Sequence, residues 1–159
     1  MRWFLVFTLI FHLHGHAISP ELPKIAGDRI ALIFGNSQYQ RGSLLNPSND
    51  ARVMAELFRQ KGFEVQMKLD ATADSMREMT QGFKRRLADD AVAMGIFYYA
   101  GHGMQMDWRN FLLGVDAKIS KIEVVSKFSL ELNDVVKQGS EDTGIKGMPV
   151  LLIVDACRD

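Results

Sequence analysis

The sequence predicts an α/β domain: a three-layer sandwich with a mostly parallel sheet and helices on both faces. Short apolar, β-branched runs over residues 29–35, 92–99 and 149–154 alternate with amphipathic helical patterns. The helical stretches between them are long enough for the crossovers that join parallel strands. The chain has 159 residues, 47% hydrophobic and 24% charged, the makeup of one ordinary globular domain.

The amino terminus stands apart. Met1 and Arg2 precede the apolar run WFLVFTLIF over residues 3–11, followed by His12, His14, His16 and the small residues Gly15 and Ala17. This pattern predicts a secretory signal peptide over residues 1–17, cleaved after Ala17, and hence a secreted or periplasmic location. The run is too short for a stable membrane span, which needs about 20 apolar residues; an uncleaved anchor is the competing reading. Arg2 is the one charged residue removed, so the remainder carries 18 basic and 19 acidic residues, net −1. With no global positive field, a nucleic-acid partner is not expected. Residues 18–28, with Pro20 and Pro23, read as a linker to a domain over 29–159.

Residues 29–35 (RIALIFG) read as a buried strand and 36–47 as a polar loop. Ser48 or Asn49 is a candidate cap for a helix to about Lys61, with Val53, Met54, Leu57 and Phe58 facing inward. Residues 63–69 alternate apolar and polar, as in a strand with one solvated side. Thr72 or Asp74 starts a second helix whose stripe of Met76, Met79, Phe83 and Leu87 is core. Residues 92–99 (VAMGIFYY) form a central strand that ends at Gly101-His102-Gly103. Beyond it, 111–115 read as a short strand, Trp108 as a shield for the loop beside His102, and 130–138 as a helix. A polar stretch over 140–147 precedes the last strand, PVLLIV, which delivers Asp155-Ala156-Cys157.

Open α/β sheets carry their chemistry beyond the carboxyl ends of the strands. After removal of the signal, His102 is the only histidine and Cys157 the only cysteine, and each follows such an end. No intramolecular disulfide can form, and a Cys/His zinc site lacks ligands. Either residue alone reads as structural; together they point to a thiolate nucleophile and an imidazole that transfers protons. Gly101 and Gly103 leave room for a substrate backbone beside the histidine. A nucleotide-binding reading fails because Gly35-Asn36-Ser37 does not continue into G-x-G-x-x-G.

The segments Tyr98-Tyr99-Ala100-Gly101-His102-Gly103 and Asp155-Ala156-Cys157-Arg158 resemble the caspase-like cysteine peptidases, closest to bacterial caspase homologues and metacaspases. The resemblance runs over residues 29–159 and includes Asn46-Pro47-Ser48-Asn49-Asp50-Ala51 and Arg109-Asn110-Phe111-Leu112-Leu113. It implies the caspase large-subunit fold, with His102 and Cys157 as catalytic dyad. The backbone N–H groups of Gly103 and Cys157 would form the oxyanion hole. Asp155 stands where caspases proper have glutamine, and with Asp50 it would line the pocket for the residue preceding the scissile bond. A buried acidic pair there favours arginine or lysine. A helix N-terminal acid is the other reading of Asp50.

No cofactor is implied, and no metal is predicted, because Asp116 alone is far short of a calcium ligand set. The expected partners are protein or peptide substrates. A separate or downstream small-subunit region is expected to cover the last strand, because the family continues past the position of Asp159 and the domain reads as incomplete there. The competing function is a catalytically inactive caspase-fold module that binds partners.

Overall fold

The computed structural model describes residues 26–117, 122–136 and 149–156. The expected signal peptide, most of the linker, the polar stretch over 140–147 and Cys157 lie outside them. Strands β1 (Asp28–Gly35), β2 (Glu64–Leu69), β3 (Val92–Ala100) and β7 (Val150–Asp155) form a parallel sheet in the order β2-β1-β3-β7. Strands β4 (Gly103–Met106), β5 (Arg109–Leu113) and β6 (Ser129–Glu131) form a small antiparallel sheet. Three α-helices accompany them: α1 (Pro47–Gln60), α2 (Ala73–Leu87) and α3 (Leu132–Val136), with a 3-10 helix over Ile122–Phe128.

The parallel sheet has two buried faces, as its near-continuous apolar strands require. On one face Ala31, Ile33, Ile96, Tyr98 and Ala100 pack against Ala51, Ala55 and Phe58 of α1. On the other, Leu32, Phe34, Phe97 and Tyr99 pack against Met76, Phe83 and Leu87 of α2 and Val135 of α3. This is the three-layer α/β sandwich expected. Strand β2 alternates exposed and half-buried residues because it is an edge strand.

The inward stripe of α1 differs from the one the sequence suggested. Val53 and Leu57 are 66% and 42% exposed, while Ala51 and Ala55 are fully buried. The helix lies too close to β1 for larger residues: a Cβ on Gly35 would sit 2.5 Å from Ala51 Cβ and 2.6 Å from the Pro47 carbonyl. Asn46, not Ser48 or Asn49, takes the N-cap position, with Pro47 following. Ser48 instead turns to Ser37, its N–H and hydroxyl lying 3.0 and 2.9 Å from Ser37 Oγ.

Helix α2 starts as predicted, with Thr72 Oγ1 accepting from Ser75 N–H at 3.3 Å. Asp116 supports that start, because its Oδ1 accepts from Ala73 N–H at 2.9 Å.

Two corrections fall in the segment after His102. The strand expected over 111–115 is present as β5, two residues earlier, and it is the second arm of an unforeseen hairpin, β4–β5, turned by Asp107 and Trp108 at φ 48° and 63°. Two consecutive left-handed residues form the tight turn that matches strand twist, and it usually uses Asn-Gly, which hid it here. Trp108 sits at the tip, 93% exposed, and shields nothing near His102. The expected helix over 130–138 begins only at Leu132, since 129–131 pair with β5 as β6. Leu130 and Leu132 therefore owe their burial to a strand and a helix start, a distinction apolar spacing cannot make.

Candidate active site

Strands β3 and β7 run in register up to Ala100 beside Asp155. The Gly101 N–H continues the ladder, donating to the Asp155 carbonyl at 3.2 Å. His102 follows Ala100 by two residues and Cys157 follows Asp155 by two. The two chains thus leave the same edge of the sheet side by side, although Cys157 itself is not among the described residues.

The loop between β1 and α1 reaches over to His102. The imidazole Nε2 lies 2.6 Å from the Gly42 carbonyl oxygen. A carbonyl only accepts, so the hydrogen bond places a proton on Nε2, while Nδ1 has no hydrogen-bond partner among the described residues. The ring packs against Tyr39, centroids 4.5 Å apart at 59°. Tyr39 Oη accepts the His102 main-chain N–H at 2.9 Å and lies 3.1 Å from Tyr99 Oη. Tyr99 Oη in turn lies 2.6 Å from the His102 carbonyl and 2.9 Å from that of Leu113. Burial raises the Tyr39 phenol above its ordinary range and the Tyr99 phenol well above it.

Gly42, Tyr39 and Tyr99 were not marked by sequence reasoning. Gly42 acts through a main-chain carbonyl, which any residue possesses. Tyr39 gave a faint signal as the one aromatic in a polar loop. Gly101 has a reason that sequence reasoning did not supply: a Cβ there would meet Tyr39 Oη at 2.6 Å and Tyr99 Oη at 2.7 Å. The glycine makes room for the two tyrosines. Gly103 opens β4, half-buried, opposite Leu112.

Asp155 registers with Ala100 as Ile153 does with Tyr98, and strand alternation sets it on the α1 face. Asp50 lies in the first turn of α1 on that same side. Both carboxylates act on Tyr98, whose phenol is raised first by burial, then by Asp155 and Asp50. They are not the buried pair expected: Asp155 is exposed and Asp50 half-buried, because β7 is the sheet's edge and Asp50 stands at a helix start. Neither is ion-paired among the described residues. On the opposite face, Gly103, Met104, Phe111, Leu132, Val154 and Ala156 line an uncharged cleft of about 140 Å³.

Among the described residues no three His, Cys, Asp or Glu side chains gather into a metal-binding group. No helix among them is long and apolar enough to cross a membrane.

Comparison with known proteins agrees with this frame. The family model for the caspase domain of peptidase family C14 matches residues 28–159. The human mucosa-associated lymphoid tissue lymphoma translocation protein 1 is 36% identical over 136 residues, covering 84% of this chain and 15% of that protein. Its mouse homolog is 35% identical over the same length. Human caspase-14 is 27% identical over 144 residues, 89% of this chain and 53% of that protein. The chain thus spans between about a seventh and a half of the relatives it matches. By its sheet order, its paired strand ends and this match, the chain belongs to the caspase-domain family of cysteine-type peptidases.

Proposed function

We propose that the chain is the catalytic part of a cysteine endopeptidase that cleaves after arginine or lysine, with Cys157 as nucleophile and His102 as proton carrier. The observation that carries this reading is the register of Ala100 with Asp155, which sets the approaches to His102 and Cys157 side by side. Cys157 Sγ attacks the scissile carbonyl, and the tetrahedral oxyanion is held by the N–H groups of Gly103 and Cys157. His102 protonates the leaving amine, then takes a proton from the water that releases the acyl group. With Nε2 tied to Gly42, that traffic runs through Nδ1. Asp155 and Asp50 supply negative charge on the α1 face without a resident cation among the described residues, which suits a guanidinium or ammonium. Because both are solvated to some degree, their attraction grows as substrate excludes water.

The reading extends to a strand-rich region, downstream or separate, that pairs with the outer edge of β7, where Leu151 and Val154 are 47% and 39% exposed. It also extends to export, with a mature chain beginning at Ile18.

The test is labelling by a tagged, arginine-directed covalent inhibitor. Cys157→Ala abolishes labelling, and His102→Ala slows it by about 100-fold or more, within the range of a proton-transfer group. Asp155→Asn reduces arginine labelling about tenfold, near 1.4 kcal/mol. An intact enzyme that prefers an aspartate-directed probe refutes the specificity; labelling that survives Cys157→Ala refutes the nucleophile. An inactive partner-binding module gives no labelling with either probe.

A further inference from the structure

We infer that Tyr39 is a positioning residue for the imidazole of His102, acting through a two-tyrosine clamp on the histidine's own main chain. The inference rests on the dyad reading and adds to it a group outside the reacting atoms.

The clamp follows from counting protons. Each phenol has one to donate, and a carbonyl can only accept. The 2.6 Å contact assigns the Tyr99 proton to the His102 carbonyl. The Tyr39 proton then goes to Tyr99 Oη at 3.1 Å or to the Leu113 carbonyl at 3.3 Å. In both arrangements Tyr39 Oη accepts the His102 N–H. In the first, the hydrogen bonds close a circle: His102 N–H to Tyr39, Tyr39 to Tyr99, and Tyr99 to the His102 carbonyl. Both peptide groups of His102 are gripped while the Tyr39 ring presses against the imidazole.

The two tyrosines are not equivalent. Without the Tyr99 hydroxyl, the His102 carbonyl keeps the Leu113 N–H at 3.0 Å, and Tyr39 keeps the Leu113 carbonyl as acceptor. Without the Tyr39 hydroxyl, the His102 N–H has no acceptor among the described residues. Tyr39 is itself delivered rigidly. Asp70 Oδ1 accepts the N–H groups of Ser37 and Gln38 at 2.8 and 2.9 Å, and Leu44 N–H returns to the Ser37 carbonyl at 2.9 Å. Those bonds bracket the stretch that carries both Tyr39 and Gly42. One loop therefore holds the ring from two sides.

The experiment is nitrogen NMR of the full chain labelled with ¹⁵N-histidine, at about pH 8.5, where an ordinary imidazole is neutral. The His102 signals are those lost in His102→Gln. In the intact chain the two ring nitrogens give well-separated signals of a single Nε2–H tautomer. Tyr39→Phe reduces that separation by half or more, while Tyr99→Phe keeps it within about a tenth. Thermal unfolding of the two variants shows both to be folded and similarly weakened, so loss of a buried hydroxyl alone does not explain the difference. Full separation in Tyr39→Phe, or equal collapse in both variants, overturns the assignment while leaving the dyad reading intact. Absence of a single tautomer in the unmodified chain overturns the assignment together with the Gly42 contact, while the dyad reading is judged separately by inhibitor labelling of the Cys157→Ala and His102→Ala variants.

Discussion

Asn36 is fully buried where β1 ends, and its amide joins three separate pieces of chain. Nδ2 donates to the carbonyls of Leu113 at 3.0 Å and Ala71 at 3.2 Å, and Oδ1 accepts the Ala71 N–H at 2.9 Å. The side chain thus ties the parallel sheet to the end of β5 and to the entry of α2. Replacement by alanine does not orphan every partner. The Ala71 carbonyl keeps the Val115 N–H, and the Leu113 carbonyl has the Tyr39 hydroxyl within reach at 3.3 Å. The Ala71 N–H alone is stranded, at about 1–3 kcal/mol, and the other lost bonds add up to about 1 kcal/mol each. Asn36→Ala is therefore expected to cost about 2–4 kcal/mol, a drop in Tm of roughly 5–15 °C for a chain of this size.

Asn36→Asp has nearly the same shape but sets an acceptor against two carbonyls, and is expected to cost more than alanine at pH 7. Its introduced carboxyl has no cation beside it, so the folded state holds the proton more tightly than the unfolded chain. Stability of that variant is then greatest at low pH and falls as pH rises above the ordinary carboxyl range of about 4. Thermal unfolding followed by far-ultraviolet circular dichroism at pH 5 and pH 7 measures both effects. Equal Tm values for the Asn36→Ala and Asn36→Asp variants, independent of pH, would refute the assignment of Nδ2 to the carbonyls.

Two further outcomes rest on the geometry of the tyrosines and of Gly42, and a third on the amino-terminal sequence. All three tyrosines of the chain, Tyr39, Tyr98 and Tyr99, are raised above the ordinary phenol value of 10.0. Their stabilising contribution is complete below pH 10 and is lost as pH climbs through the folded values. Absorbance at 295 nm therefore stays flat to about pH 10 and rises together with unfolding; a free titration at 10 in folded protein contradicts this. Gly42 has φ +71°, and a Cβ there would lie 3.3 Å from His102 Nε2. Gly42→Ala is expected to cost about 1–2 kcal/mol and to slow inhibitor labelling several-fold, with unchanged labelling counting against the carbonyl's role. Expressed with its amino terminus in an exporting host, the protein is expected to yield a product whose first residue is Ile18 by amino-terminal sequencing; a product retaining Met1 contradicts cleavage.

The sheet, its two long helices and the location of His102 at a strand end followed from apolar periodicity, because buried parallel strands and amphipathic helices write themselves into spacing. Residues 103–131 did not. A left-handed Asp-Trp turn carries none of the usual glycine signal, and a three-residue strand such as β6 is too short to repeat a pattern. The inward face of α1 was misplaced for another reason: Gly35 draws the helix so close that alanines outcompete Val53 and Leu57 for burial. At the candidate site, residue types pointed to His102 but not to the groups that hold it. Tyr39 and Gly42 act across 63 and 60 residues of chain, a distance over which local pattern carries no information.

That separation also governs when the site comes into being. The contacts from Tyr39 and Gly42 to His102 close only after β1 has zipped against β3, a non-local step that follows local helix formation in a chain of this topology. Until then the imidazole is an ordinary side chain on a floppy segment, held by nothing that distinguishes one ring nitrogen from the other. The loop between β1 and α1 thus makes the geometry around His102 conditional on the pairing of β1 with β3, so that the site is a property of the finished sheet rather than of the segment that carries the histidine.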